Sequence, residues 1–214
     1  HVSFHQLAFG KSSPDDEVQL LAKLKDIGEG KTWLTYNGNT FDIPYIETRL
    51  AHHGLDPISF DSLDLYPWIR TRRKFFSFPR LNLKTLETYA GIERQDLLYG
   101  AEVAAAYGKI DQDSSLLEHV LLHNEEDVLS TYQLHEYFQT LRDSLTMKVP
   151  VANELKSIEL VSYQRDKDFA FIEYQSDESL EIPWQKQNSF GRITWEDEII
   201  RLRVPCHLGK VAED

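Results

Sequence analysis

Strand-like and helix-like hydrophobic patterns alternate along the first part of the chain. The segment HVSFHQLAF, residues 1–9, alternates apolar and polar positions as a β-strand does. The segment SSPDDEVQLLAKLKDI, residues 12–27, has leucines at helical spacing behind a capping serine, Ser13, and a proline at the first helical position. The segment KTWLTYNG, residues 31–38, is rich in aromatic and β-branched residues and ends in an Asn-Gly turn signal, which predicts a second strand.

The same alternation continues to about residue 145. The pattern predicts a helix from about Ile43 to His53 and a third strand over ISFDSLDLYPWI, which ends at Pro67. Three more helices are predicted over LNLKTLETYAGI, over GAEVAAAYGKI and from about Ser114 to Leu141. Strands and helices that alternate in this way predict an α/β domain, with a mixed sheet flanked by helices.

The character of the chain changes after TMKVPV, residues 146–151. Short segments that alternate apolar and polar residues follow, separated by charged turns, and this predicts a small, mostly antiparallel β region. We therefore predict two parts, an α/β domain over residues 1–148 and a small β-rich region over residues 149–214.

Composition and charge exclude several classes of protein. No apolar run approaches the roughly 20 residues that cross a bilayer, and the N-terminal residues lack a signal pattern, so we predict a cytoplasmic protein that does not bind a membrane. The single cysteine, Cys206, excludes a zinc finger, so any metal site must use oxygen and imidazole ligands. The net charge of −12 opposes a general attraction to nucleic acid, and any site for a polyanion must therefore be local.

One local basic segment, WIRTRRKFFSFPR, is a candidate for such a site. Its cations are interleaved with phenylalanines, and cations beside aromatic rings are a common means of holding single-stranded nucleic acid. The candidate substrate-binding residues are Arg70, Arg72, Arg73 and Lys74. The alternative interpretation is a solvated, positively charged loop that leads into a helix.

Three residues suggest metal-dependent chemistry. Asp42 follows a strand and a turn at the start of a helix, while His123 and Asp127 lie one helical turn apart and share a face. Taken singly, Asp42 has the position of a helix cap, and the other pair has that of a solvated or internally paired helix face. Together, carboxylates from separate elements and an imidazole suit a magnesium or manganese site for phosphodiester cleavage, with His123 as the proton acceptor.

Four segments in this order, TYNGNTFDIPYI, FDSLDLYPWI, LNLKTLETYAGI and LLHNEEDVLSTYQL, resemble the ribonuclease H-like domain of the DEDD exonuclease superfamily, in particular its YprB-like bacterial branch. The resemblance covers residues 4 to 142, approximately. It implies a 3′-to-5′ exonuclease that uses two Mg²⁺ or Mn²⁺ ions on single-stranded DNA or RNA ends. Asp42 matches the third acidic residue of the family and Asp127 the fourth, while Asn37 and Asn124 become candidates for substrate contacts, or alternatively turn and helix-surface residues.

Two features depart from the family pattern. The first motif of the family, an Asp-x-Glu on the central strand, has no counterpart in the chain. We therefore expect this motif to lie upstream, and the chain to be a fragment, a proteolysed product or a sequence whose upstream part is not represented. His123 stands four residues before Asp127. Tyrosine-type members of the family have their tyrosine at that position, whereas histidine-type members have their histidine five residues before the aspartate. The alternative prediction is a catalytically inactive module with a nuclease fold that binds nucleic acid or a protein partner.

Overall fold

The computed structural model describes residues 14–96, 98, 100–151, 154–179 and 183–206. Contacts divide the chain into two compact units. The first comprises His1–Arg70 with Ser77–Tyr137, and the second comprises Thr71–Phe76 with Phe138–Asp214. The strand predicted at residues 1–9 and the predicted cap at Ser13 lie outside the described residues.

The described part of the first unit combines helices with two short parallel strands. Its elements, including two helices that end in the second unit, are α1 (Pro14–Gly28), β1 (Thr32–Thr35), α2 (Asp42–His52), β2 (Asp61–Asp64), α3 (Leu65–Phe76), α4 (Leu83–Ala90), α5 (Gly100–Tyr107) and α6 (Ser115–Leu145). Strand β1 pairs with β2 in parallel, in a register that aligns Thr35 with Asp64. No described helix has the length and apolar character needed to cross a membrane.

The core beside these strands is built from the apolar faces of α1 and α2. Leu21 and Leu50 pack with Ile58, and all three side chains are buried. Trp33 on β1 stacks on Phe60, with their ring centroids 4.2 Å apart. Burial of each such side chain contributes about 1.5–3 kcal/mol to folding, so this cluster holds the two helices against the strand pair.

An ion-pair cluster also joins α1 to α2. Arg49 donates to Glu17 through Nε and Nη2, both at 2.5 Å, and His53 Nε2 lies 2.9 Å from the same carboxylate. The hydrogen bonds from Arg49 and His53 lower the pKa of Glu17 from 4.5 to about 2.

This lowered pKa predicts a pH-dependent contribution to stability. A carboxylate whose pKa is lower in the folded state stabilises the fold fully above its unfolded pKa and loses this effect as the pH falls through the folded value. We therefore expect wild type to be more stable than Glu17→Gln at pH 6 and the difference to shrink below pH 4.5, towards zero near pH 2. Urea unfolding of both proteins across this range measures the difference, and a constant difference would contradict the prediction.

The described part of the second unit contains a six-stranded antiparallel sheet. Its strands are β3 (Thr146–Val151), β4 (Glu154–Arg165), β5 (Phe169–Ser176), β6 (Trp184–Asn188), β7 (Gly191–Glu196) and β8 (Ile199–Pro205). They are ordered β3-β4-β5-β8-β7-β6 across the sheet, and the register of β4 against β5 shifts between Leu160 and Ser162. One face is apolar because Ile158, Trp195 and Ile200 form a buried cluster there.

The predicted fold class is confirmed, since helices and a parallel strand pair are followed by an antiparallel sheet. The third strand is shorter than predicted. It ends at Asp64, whose carboxylate accepts a hydrogen bond from the Tyr66 N–H and caps α3. Pro67 therefore lies in the first turn of α3, where its missing N–H costs no helical hydrogen bond. The basic residues at positions 70–74 accordingly lie on a helix rather than in a loop.

Candidate active site

The turn between β1 and α2 places Asp42 at the first position of α2. Asn37 adopts a positive φ of 65°, which asparagine tolerates better than most residues. Gly38 lies so close to β1 that a Cβ atom would come within 2.5 Å of the Thr35 Cβ. The Asn-Gly pair is therefore required by the local backbone and packing of this turn.

Asp64 fixes the same turn from the end of β2. Its carboxylate accepts hydrogen bonds from the backbone N–H groups of Asn37, at 2.6 Å, and Asn39, at 3.1 Å. The same carboxylate caps α3 through the Tyr66 N–H. Asp64 thus has a structural role, and it orders the segment that leads to Asp42.

The Asp42 carboxyl lies in surroundings that disfavour its negative charge. Desolvation raises its pKa, and the negative charge of Asp64 raises it further, although Asp42 as a whole residue is exposed and its own backbone N–H opposes the shift. Among the described residues, no side chain forms a hydrogen bond or an ion pair with this carboxyl. A bound cation would stabilise the ionised form, as expected for a metal ligand.

On α6, His123 is held between two carboxylates. Its Nδ1 lies 2.6 Å from Asp96 Oδ2 and its Nε2 lies 3.3 Å from Asp127 Oδ2. Asp127 is one turn further along the helix, so the helical spacing accounts for its contact with His123. The contact between Asp96 and His123 depends instead on the loop after α4. The imidazole orientation is therefore set from both sides.

Asp96 is the buried anchor of this arrangement, with 2 % of its side chain exposed. It is also contacted by the Leu98 N–H at 2.8 Å, by Lys84 Nζ at 3.2 Å and by Arg94 Nη2 at 3.1 Å. Desolvation opposes ionisation of Asp96, but the hydrogen bonds from His123, the Leu98 N–H and Lys84 together lower its pKa. Asp96 is therefore a stable anion beside the histidine.

Arg94 connects the remaining acidic side chains. Its Nη1 lies 2.7 Å from Glu87 Oε1 and 2.7 Å from Asp127 Oδ1, and its Nε lies 3.4 Å from Glu126 Oε2. Glu126 in turn accepts the backbone N–H groups of Gln95 and Asp96, at 2.8 and 2.9 Å. This ion-pair network fastens the loop after α4 to α6.

The sequence prediction did not include Glu87, Arg94, Asp96 or Glu126 as site residues. The sequence contains a signal for Glu87, because this residue shares a helix face with the apolar residues Leu83, Leu86 and Ala90. A carboxylate on an apolar helix face requires a buried cationic partner, which is Arg94 in the structure.

The candidate substrate-binding residues lie in different surroundings. Arg70, Arg73 and Lys74 are exposed on α3. Arg72, in the part of α3 that belongs to the second unit, is buried, with its Nη2 2.6 Å from Glu159 Oε1 of the same unit. Asn37 is partly buried in the turn before α2, and Asn124 is exposed on α6. Substrate contacts by these six residues remain predictions.

The three predicted catalytic and metal-binding residues are brought together only in part. His123 and Asp127 are neighbours, but among the described residues no hydrogen bond or ion pair joins Asp42 to either of them. The carboxylates of Asp42 and Asp127 fit a divalent ion in kind, since hard oxygen is its preferred donor. Two carboxylates are too few ligands for a complete site, and in the described part of the chain no group of three His, Cys, Asp or Glu side chains is placed to hold a metal ion.

A family model of the RNase H superfamily matches residues 2–139, a range that includes Asp42, the ion-pair network and His123. Neither a curated protein nor a solved structure matches the chain.

Proposed function

Because the chain belongs to the RNase H superfamily, we propose that it is a divalent-metal-dependent nuclease that removes nucleotides from the 3′ ends of single-stranded DNA or RNA. Membership of this superfamily suggests nuclease activity on nucleic acids, and RNase H-like nucleases generally use divalent metals. We further assign the chain to the DEDD exonucleases, in their YprB-like branch. The observation that carries the proposal is the His123 ring, held by buried Asp96 at Nδ1 while its Nε2 faces Asp127.

Asp42 and Asp127 are the residues that would hold metal ions. Bound divalent ions would activate the attacking water and stabilise the leaving oxygen. The desolvated carboxyl of Asp42, with which no described side chain pairs, supports this role, and Asp127, with 38 % of its side chain exposed, is accessible to an ion. A complete two-ion site needs more ligands than these two carboxylates.

His123 is suited to accept the proton of the attacking water. An ionised carboxylate has only acceptor atoms, so the hydrogen bond between Asp96 and His123 requires a proton on Nδ1. With Nδ1 protonated, Nε2 is the ring atom that can gain or lose a proton. Asp96 thereby keeps the proton on Nδ1, which makes it a positioning residue, and Nε2 would act as the base once a metal ion occupies the Asp127 carboxylate that faces it.

Replacing Asp96 with asparagine tests this positioning role. The amide can donate to Nδ1, so we expect the Asp96→Asn variant to admit the Nε2–H tautomer and to lose about 10- to 100-fold in cleavage rate. The ¹⁵N chemical shifts of the His123 ring report the tautomer independently of activity. Asp56→Asn, at an exposed position, is the matched control. An unchanged tautomer in Asp96→Asn would contradict the role.

The proposed activity is tested by cleavage of a single-stranded oligonucleotide in manganese by the complete gene product. With a 5′ label, a 3′-to-5′ exonuclease produces a ladder that shortens progressively, and a blocked 3′ end suppresses the reaction. Internal cuts that ignore the block would indicate an endonuclease instead.

A second candidate function is a nuclease-fold module that binds nucleic acid or a protein partner without cleaving. It is favoured by the 2.7 Å contact of Arg94 with Asp127, which supplies a positive charge where an ion would otherwise bind. Strand binding without any cleavage by the complete gene product, together with no manganese binding in calorimetry, would establish this alternative.

A further inference from the structure

The face of the antiparallel sheet opposite its apolar cluster is rich in arginine. Side chains at alternate positions of a strand share a face, so Arg201 and Arg203 on β8 lie on the side away from buried Ile200. Arg192 on β7 lies on the same side, away from buried Trp195. We call this side the arginine face.

The strand register places these residues in rows across the sheet. Gln164, Phe171, Arg203 and Arg192 are successive partners on β4, β5, β8 and β7. The adjacent row contains Ser162, Glu173, Arg201 and Thr194. Both rows line a cavity of about 500 Å³. The arginine face is therefore a concave surface on which a phenylalanine lies beside cationic side chains.

The charges on this surface are unequally paired. Arg201 Nε lies 2.8 Å from Glu173 Oε1, and its Nη1 lies 3.9 Å from Glu196 Oε2. Arg192 Nη2 donates to the neutral amide of Gln185 at 3.0 Å, and the Arg203 guanidinium lies 3.7 Å above the Phe169 ring. Among the described residues, Arg192 and Arg203 have no carboxylate partner, so this surface carries local positive charge in a chain whose net charge is −12.

Phe171 adds an aromatic surface that is open to a ligand. It is 41 % exposed, and its ring centroid lies 6.4 Å from that of Phe169. An exposed ring in a row with arginines matches the requirements of an unpaired base and its phosphates, because the base stacks on the ring and the guanidinium groups contact the backbone. Bases in a duplex are stacked on each other and are not available for this contact.

We propose that the arginine face binds single-stranded nucleic acid, with Arg192 and Arg203 on backbone phosphates and Phe171 against a base. The inference extends the proposed nuclease function, on which it rests for the class of ligand, by giving the second unit a role in holding the strand. An acidic peptide satisfies the charges of Arg192 and Arg203 but leaves the exposed ring without a stacking partner. Nucleic acid is therefore the occupant that accounts for both features.

Fluorescence anisotropy with a labelled oligothymidylate, in EDTA so that no cleavage occurs, tests the proposal on the full chain. We expect Arg192→Ala and Arg203→Ala each to weaken binding about tenfold and to reduce the slope of log K against log salt by about 0.7, the value for one phosphate contact on a single strand. Arg165→Ala is the matched control, since Arg165 is exposed at the end of β4 and pairs with buried Ala170, so that it lies off the arginine face. Binding by this control should stay within about twofold of wild type.

The stacking contact is tested with Phe171→Leu, which keeps an apolar side chain and removes the ring. We expect it to bind about fivefold or more weakly than wild type, with an unchanged salt slope. Arg203→Lys keeps the charge and should retain the wild-type salt slope, and circular dichroism verifies that every variant is folded.

Two results would overturn the proposal. The first is that the Arg192, Arg203 and Phe171 variants bind the oligonucleotide with wild-type affinity. The second is that polyglutamate displaces the oligonucleotide and that its own binding depends equally on all three residues. Because binding is measured without metal, an inactive protein whose binding still depends on the arginine face would refute the proposed nuclease function and leave this inference intact.

Discussion

Replacing Arg94 with leucine is expected to destabilise the protein by about 3–5 kcal/mol, the cost of leaving buried carboxylates without their cation. Only 8 % of the Arg94 side chain is exposed, and its partners Glu87 and Asp96 are each 2 % exposed. Loss of the guanidinium removes contacts to both of them, and water cannot replace it at these buried positions. Few domains retain a large margin of stability after such a loss.

Equilibrium unfolding in urea measures this effect through the shift of the midpoint. Arg80→Leu is the control, because Arg80 is exposed and the substitution is chemically identical. The variant at position 94 should unfold at a much lower urea concentration than the control. Equal midpoints would show that the ion-pair network contributes no net stability.

Replacing Asp127 with asparagine is expected to lower the rate of metal-dependent cleavage by about 10³-fold or more, while the protein still folds. In the proposed mechanism the change removes a charged metal ligand, and several kcal/mol of transition-state stabilisation corresponds to a loss of this size. The structural cost is small, because 38 % of the Asp127 side chain is exposed and a pair at such a site contributes about 1 kcal/mol or less.

Cleavage of the 5′-labelled strand measures the loss of activity in Asp127→Asn, and calorimetry with manganese separately measures the loss of metal binding. Glu118→Gln, at an exposed position on the same helix, controls for the loss of one negative charge. If Asp127→Asn cleaves at the wild-type rate, Asp127 is not a metal ligand and its contact with Arg94 is structural.

Local patterns were sufficient to predict the α/β part and the antiparallel sheet. Apolar periodicity is determined by which face of an element is buried, so it reports helices and strands directly. The same periodicity placed His123 and Asp127 on one face of a helix, and their side chains are 3.3 Å apart. The segment LNLKTLETYAGI, predicted as a helix, likewise contains α4, which Asn82 caps and the αL residue Gly91 ends.

Contacts between distant segments were not predictable in this way. Asp96 and His123 are 27 positions apart, and no periodic pattern links a loop residue to a helix face at that separation. Arg72 belongs to a segment that resembles a solvated basic surface, yet the structure pairs it with Glu159, on strand β4. Such pairings depend on tertiary packing, and the sequence shows only that a buried charge needs some partner.

The dual attachment of Asp64 affects the interpretation of mutational screens. One carboxylate both restrains the turn before Asp42 and begins α3, so its substitution alters two backbone segments at once. In an activity-based screen, variants at Asp64 would therefore lose activity as variants at Asp42 do, although Asp64 is not proposed to bind a metal ion. Amide hydrogen exchange at Asn37, Asn39 and Tyr66 would separate the two groups, since only loss of Asp64 unprotects all three positions together.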